Sequence, residues 1–140
     1  MRLAGFNFNK IIAEKTKEIS GEMKISTKID FLSIEPIKPG LLKIKDELIK
    51  VGFSYTVSYD PNFAKIELTG DILLAIEPKI AKDILREWKE KKTSEEFRIS
   101  VFNLVLKKSN IKALQLEEEL ILPFHIPLPF LDKESFKEKK

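Results

Sequence analysis

The chain has 140 residues, 43% of them hydrophobic and 34% charged, which is enough apolar material for one core of moderate size and too much for a disordered chain. It has no cysteine, which excludes disulfides, thiolate zinc sites and a cysteine nucleophile. The formal charge of +3 arises from 25 basic and 22 acidic residues interleaved along the chain, so no large basic field is set up.

Lys and Glu dominate the charged set and a single Gln is present, a balance that hints at a heat-adapted organism. The N-terminal MRLAGFNFNK lacks the apolar core of a signal peptide. No apolar run reaches the roughly 18 residues needed to span a membrane. These features give the expectation of a soluble, cytoplasmic protein.

The segment 6-FNFNKIIAEKTKEI-19 admits two readings. Phe6, Phe8 and Ile12 share the parity of a strand, whereas IIAEKTKEI also suits a helix; the strand is the reading carried forward. In 22-EMKISTKIDF-31, Met23, Ile25, Thr27, Ile29 and Phe31 alternate with polar residues. After Phe31 the parity breaks, because Leu32 and Ile34 continue on the other face, as at a bulge or a second buried surface. Pro36, Pro39 and Gly40 mark a loop, and 41-LLKIK-45 reads as a short extension of the next strand.

The clearest signal is a hairpin. Ile49, Val51, Phe53, Tyr55, Val57 and Tyr59 recur with period two, and so do Ala64, Ile66, Leu68, Ile72, Leu74 and Ile76. Asp60-Pro61-Asn62 between them is turn chemistry. A turn centred on Pro61-Asn62 sets Val57 against Ile66, Tyr55 against Leu68, Phe53 against Gly70, Val51 against Ile72 and Ile49 against Leu74. The other face then pairs Ser58 with Lys65, Thr56 with Glu67, Ser54 with Thr69 and Gly52 with Asp71. A slip of one residue destroys this match, so the register is specified. Phe53 opposite Gly70 lets an aromatic ring cover a bare stretch of backbone.

Beyond the hairpin the period changes to that of a helix. Pro78 suits a first helical position, and Ile80, Ala81, Ile84, Leu85 and Trp88 form one stripe in 78-PKIAKDILREWKEKK-92. Thr93-Ser94-Glu95-Glu96 reads as a capping box with Thr93 as the cap. A second helix follows through 97-FRISVFNLVLKK-108, with Phe97, Val101, Phe102, Val105 and Leu106 as its apolar residues. Ser109-Asn110 offers an interruption, and 111-IKALQLEEEL-120 is helical again until Pro123 stops it. Strands first and helices second give an α+β fold. Its simplest form is an antiparallel sheet of about four strands, half exposed, with helices on its apolar face. One domain is expected over residues 1–131, followed by a charged, flexible tail at 132–140.

No catalytic constellation emerges, and neither a metal site nor a cofactor is expected. His125 is the only histidine and lies between Phe124 and Ile126 with no acid near it in sequence; it reads as a packed or surface residue. Glu117-Glu118-Glu119 point in different directions on a helix and read as a solvated face. There is no phosphate-cradling glycine loop. The stretch 50-KVGFSYTVSY-59 superficially resembles the aromatic strand of RNA-recognition motifs, but Phe53, Tyr55 and Tyr59 share parity with the core-facing set, so base stacking is not expected. Trp88 is read as a core, interface or peptide contact. The strip 121-ILPFHIPLPFL-131 is almost wholly apolar yet carries three prolines, which rules out an interior helix or a central strand. Either the strip packs over the chain's own core or it serves another chain.

The order of elements resembles that of the SecB-type export chaperones, and most of all their archaeal SecB-like relatives. The resemblance is carried by 7-NFNKIIAEK-15, by the hairpin 48-LIKVGFSYTVSYDPNFAKIELTGDILL-74, and by a closing helix followed by 121-ILPFHIPLPFL-131. It covers residues 6–131 as a pattern rather than as a short motif. It implies an ATP-independent holdase that binds unfolded polypeptides along apolar, aromatic-rich grooves and assembles as a homo-oligomer, a dimer or tetramer. By this resemblance Phe6, Phe8, Trp88, Phe124, Ile126, Leu128 and Phe130 form the polypeptide-binding or subunit surface. Two departures stand out. Bacterial SecB proteins are acidic where this chain is basic, and their C-terminal helix is replaced here by 132-DKESFKEKK-140. A scaffold subunit with one fixed partner and a lysine-based nucleic-acid binder are the competing readings.

Overall fold

A computed structural model of the chain describes residues 1–16, 21–38 and 45–134. The loop reading at Pro39 and Gly40, the strand extension at 41–44, residues 17–19 of the N-terminal segment and residues 135–140 of the tail lie outside the described residues. The elements are β1 (Arg2–Lys15), β2 (Lys24–Ile37), β3 (Glu47–Asp60), β4 (Ala64–Ile76), α1 (Pro78–Trp88) and α2 (Glu95–Glu119). The strands form one antiparallel sheet in the order β1-β4-β3-β2. The helices pack against β2, β3 and β4, which is the expected α+β arrangement.

The hairpin β3–β4 carries the register read from its sequence, with Val57 opposite Ile66, Tyr55 opposite Leu68 and Phe53 opposite Gly70. Its inward residues are the core. Ile49, Val51, Phe53, Tyr55, Val57, Tyr59, Ile66, Leu68, Ile72 and Leu74 are all fully buried. At about 1.5–3 kcal/mol for each large apolar side chain removed from water, these two strands supply most of the hydrophobic drive. Gly70 is needed where it stands. A Cβ there would press on the Asn7 carbonyl of β1 and would come within 2.9 Å of the Phe53 ring.

The outward face carries ion pairs. Lys10 and Lys65 flank Glu67 at 3.7 and 3.5 Å, and Lys50 lies 4.0 Å from Asp71. The parity break after Phe31 is a bulge between Phe31 and Ser33, after which Ile34 turns inward and is buried. Strand β2 then continues through Pro36 to Ile37, so the loop expected from Pro36 begins later. An edge strand tolerates this proline because its outward side has no ladder bond to lose.

The N-terminal segment is a strand, with a shift in register that the sequence parity does not reveal. Between Phe8 and Lys10 the pairing slips, so Phe8 meets Gly70 while Ile11 meets Leu68 and Ala13 meets Ile66. Ile11 and Ala13, and not Ile12, therefore follow Phe6 and Phe8 in register with the inward residues of β4.

Three helix readings are corrected. The cap of α2 is Ser94, whose hydroxyl accepts from the Phe97 amide at 3.2 Å, and not Thr93. No break occurs at Ser109-Asn110; α2 is continuous from Glu95 to Glu119, because Ser109 is buried in an i, i+4 row with Phe97, Val101, Val105, Ala113 and Glu117. Ile80 is exposed, so the α1 stripe narrows to Ala81 and Ile84, with Leu85 and Trp88 half-buried.

Candidate polypeptide-binding surface

The seven expected surface residues fall into three places. Phe6 and Phe8 lie on β1, half-buried, with ring centroids 5.1 Å apart and with Phe53 5.3 and 6.2 Å from them. Trp88 ends α1 and packs edge-on against Phe31 of β2 at 6.2 Å. Phe31 also meets Phe97 and Phe102 of α2, at 5.9 and 4.8 Å, which closes that side of the core. Strands β1 and β2 are opposite edges of the sheet, three strand spacings or about 14 Å apart. The structure therefore does not bring Phe6 and Phe8 together with Trp88. Phe124, Ile126, Leu128 and Phe130 form the third place, after α2.

The course of that third segment starts at the end of α2. Leu120 caps the helix, and Ile121 adopts a left-handed φ of 54°. The Ile121 amide donates to the Glu118 carbonyl at 3.2 Å and the Leu122 amide to the Glu117 carbonyl at 2.8 Å. This pair of bonds is the Schellman pattern, here with an isoleucine where glycine is usual. Lys15 of β1 adds a cationic partner for the carbonyl of Leu120 at 3.0 Å, favourable at a helix C-terminus. The reversal buries Leu122 and lays the following residues over β3.

Beyond Leu122 the segment is held by polar bonds. The Tyr59 hydroxyl donates to the Pro123 carbonyl at 2.6 Å. The His125 amide donates to Glu117 Oε1 at 3.1 Å, and His125 Nδ1 donates to Glu117 Oε2 at 2.6 Å. On its other side the imidazole Nε2 lies 2.8 Å from the Tyr55 hydroxyl and 3.1 Å from Asn110 Oδ1, and Tyr55 donates to that same Asn110 oxygen at 2.7 Å. The side chains of His125 and Glu117 are 2% and 0% exposed. This overturns one expectation, since Glu117 is not part of a solvated acidic face; His125 is packed, one of the two readings its sequence left open, against an acid eight residues before it that one reversal of the chain brings close. Burial, reinforced by the nearby Glu117 carboxylate, holds the Tyr55 hydroxyl well above the ordinary tyrosine range. Burial and the same carboxylate do so for Tyr59.

The apolar side chains of the segment are left outside. Phe124 is 40% exposed, Leu128 45% and Phe130 80%. Ile126 is half-buried. A separate concavity of about 380 Å³ lies between α1 and the start of α2, lined by Met1, Ile76, Ile80, Ile84 and Phe97 and by the polar Ser94, Glu96 and Ser100; none of the expected surface residues lines it. Phe53, Tyr55 and Tyr59 are fully buried, so they offer no stacking platform for bases. Among the described residues no cluster of three or more metal-ligating side chains occurs, and no helix is long and apolar enough to cross a membrane.

A signal for Glu117 was present in the sequence. It continues the i, i+4 row of Val101, Val105, Ser109 and Ala113, which places it inside despite its charge. Asn110 and Tyr55 carried no such mark, since their meeting depends on how α2 lies on β3.

The fold these elements make is SecB-like. It is shared with the solved SecB-like chaperone of Mycobacterium tuberculosis in complex with a ChAD peptide from an antitoxin: TM-score 0.54, 10% identity, with 94% of this chain and 91% of that chain covered. At that identity the likeness establishes the fold. No family model matches the chain, and no curated protein matches it in sequence.

Proposed function

We propose that the protein is an ATP-independent holdase that binds unfolded polypeptides through its exposed apolar surfaces. The observation that carries this reading is the 121–131 segment, a defined run of chain whose Phe124, Leu128 and Phe130 stand in solvent. A holdase needs such surface with little demand on side-chain identity, and it needs no nucleotide or catalytic group. The SecB-like fold supports the reading, as does a neighbour solved with a bound peptide.

Phe6 and Phe8 on β1 form a second contact region, and Trp88 beside Phe31 a third. The chain acts as a homo-oligomer, a dimer or tetramer, in the cytoplasm of a heat-adapted organism. Residues 1–131 form the working domain, and 132–140 are a solubilising tail. Its kinship lies with the archaeal branch of the SecB-like chaperones, and its role with the transport of proteins held unfolded. Binding of nucleic acid through the lysines loses support because Lys10, Lys50 and Lys65 on the outward sheet face are paired with Glu67 and Asp71.

The test is dilution of a denatured client into buffer with and without the protein, in the absence of nucleotide, followed by light scattering. Suppression at near-stoichiometric amounts is expected. Unchanged aggregation beside folded protein refutes the holdase, and a stable co-purifying partner would then favour a fixed scaffold subunit.

A further inference from the structure

We infer that Glu117, His125, Asn110 and Tyr55 are positioning residues for the client surface, a buried clasp that fixes the 121–131 segment and keeps Phe124, Leu128 and Phe130 turned outward; this rests on the reading of that segment as a client surface.

The segment's own apolar burial does not account for its placement. Leu122 is buried, but Phe124, Leu128, Phe130 and Leu131 are not. What ties the segment down is polar: both Glu117 oxygens on His125, the far ring nitrogen on Tyr55 and Asn110, and the Tyr59 hydroxyl on Pro123. A buried carboxylate and imidazole are a costly way to secure a chain end if stability alone is at stake, since apolar side chains of similar volume do as well or better. What such a network supplies is a single orientation, because its bonds are met in one geometry only.

That orientation decides where the apolar groups go. The chain bends at His125 and Ile126; with the His125 ring drawn inward and Ile126 half-buried at the bend, Phe124 on one side and Leu128 and Phe130 on the other are left outside. Ile126 and Leu128 each precede a proline, which restricts both to extended backbone. Beyond the bend the prolines keep the chain stiff, and Leu128 and Phe130 stay in solvent. A surface ordered beforehand loses less freedom when a client binds.

The test uses the full chain and its only histidine. In the wild type, the single imidazole signal set in nitrogen-detected NMR is expected to show a hydrogen-bonded Nδ1–H, and the His125 amide to be slow in hydrogen exchange. In Glu117→Leu, exchange of the His125 amide and of the Leu122 amide at the start of the segment is expected to quicken at least about tenfold while the amides of β3 and β4 hold. If the segment is then in its binding arrangement about a tenth of the time, the Kd for a fluorescently labelled, permanently unfolded protein rises about tenfold. Glu117→Gln keeps an acceptor for the His125 amide and is expected to recover most of the affinity. Unchanged protection in Glu117→Leu, or unchanged affinity despite lost protection, overturns the positioning role. If Glu117→Leu does not fold, Asn110→Ala is read by the same two measurements, with a smaller loss expected. A wild type that binds no client refutes the holdase and with it the positioning role, while the exchange and NMR data still decide whether the clasp holds the segment.

Discussion

Ile121→Gly is expected to stabilise the protein, although it removes a large apolar side chain. Ile121 is 83% exposed, so its side chain contributes almost nothing by burial. Its φ of 54° is a conformation that L-residues occupy at a cost of about 1–2 kcal/mol, and a β-branched residue tolerates it worst. Glycine relieves that cost but makes the unfolded chain freer, which returns about 0.5–1 kcal/mol. The net gain is about 0.5–1 kcal/mol. For a chain of 140 residues this corresponds to a rise in Tm of about 2–3 °C. Urea titration should move the midpoint upward by the matching amount with an unchanged slope. Ile121→Val, which keeps both the branch and the strain, should give no gain. A loss of stability in Ile121→Gly, or an equal gain in Ile121→Val, would refute the assignment of a left-handed isoleucine at the end of α2.

Other outcomes follow from the same geometry. Gly70→Ala is expected to cost about 2–4 kcal/mol, because the new methyl must displace β1 at Asn7 or the Phe53 ring; denaturant unfolding measures it, and a near-neutral result contradicts the close approach of β1. The hydroxyls of Tyr55 and Tyr59 are held protonated by burial and by Glu117, so above about pH 10 the unfolded state loses protons that the folded state keeps. Stability is therefore fully present below pH 10 and falls as pH rises, by at most about 1.4 kcal/mol per pH unit for each ring; tyrosinate absorbance followed with unfolding checks this, and ordinary titration of all tyrosines in the folded protein contradicts it. Phe130→Asp should change stability by less than about 0.5 kcal/mol, since the ring is 80% exposed; a larger loss in thermal unfolding would mean that the ring is covered.

The hairpin was legible because one face of each strand is buried and the other is not, and Asp60-Pro61-Asn62 fixes which residues meet. The bulge after Phe31 was legible for the same reason, as a break in alternation. The slip after Phe8 was not, since Asn9 interrupts a strand whose residues in register with the core are half-buried or, at Ile11, exposed. How the two helices close also escaped, although the end of α2 was read to within one residue. Each closes through a left-handed residue, Lys91 after α1 and Ile121 after α2, where a glycine would have signalled the stop. The apolar strip drew attention to itself by composition, but what holds it did not. Glu117 reads as surface by its charge, although the i, i+4 row it continues marks it as inward, and Tyr55 reads as one more core aromatic until its hydroxyl meets Asn110. Which polar atoms meet is decided by the packing of α2 on β3, and that packing has no mark in the sequence.

The central claim is that the exposed side chains of the 121–131 segment bind unfolded polypeptide. Fluorescence anisotropy of a labelled, permanently unfolded protein, titrated with wild type and with the triple variant Phe124→Ser, Leu128→Ser, Phe130→Ser, tests it most directly. Saturable binding by the wild type, weakened at least about tenfold in a variant of unchanged Tm, is the expected result, since a few apolar anchors carry most of such an interface. Equal binding by both proteins would contradict the account.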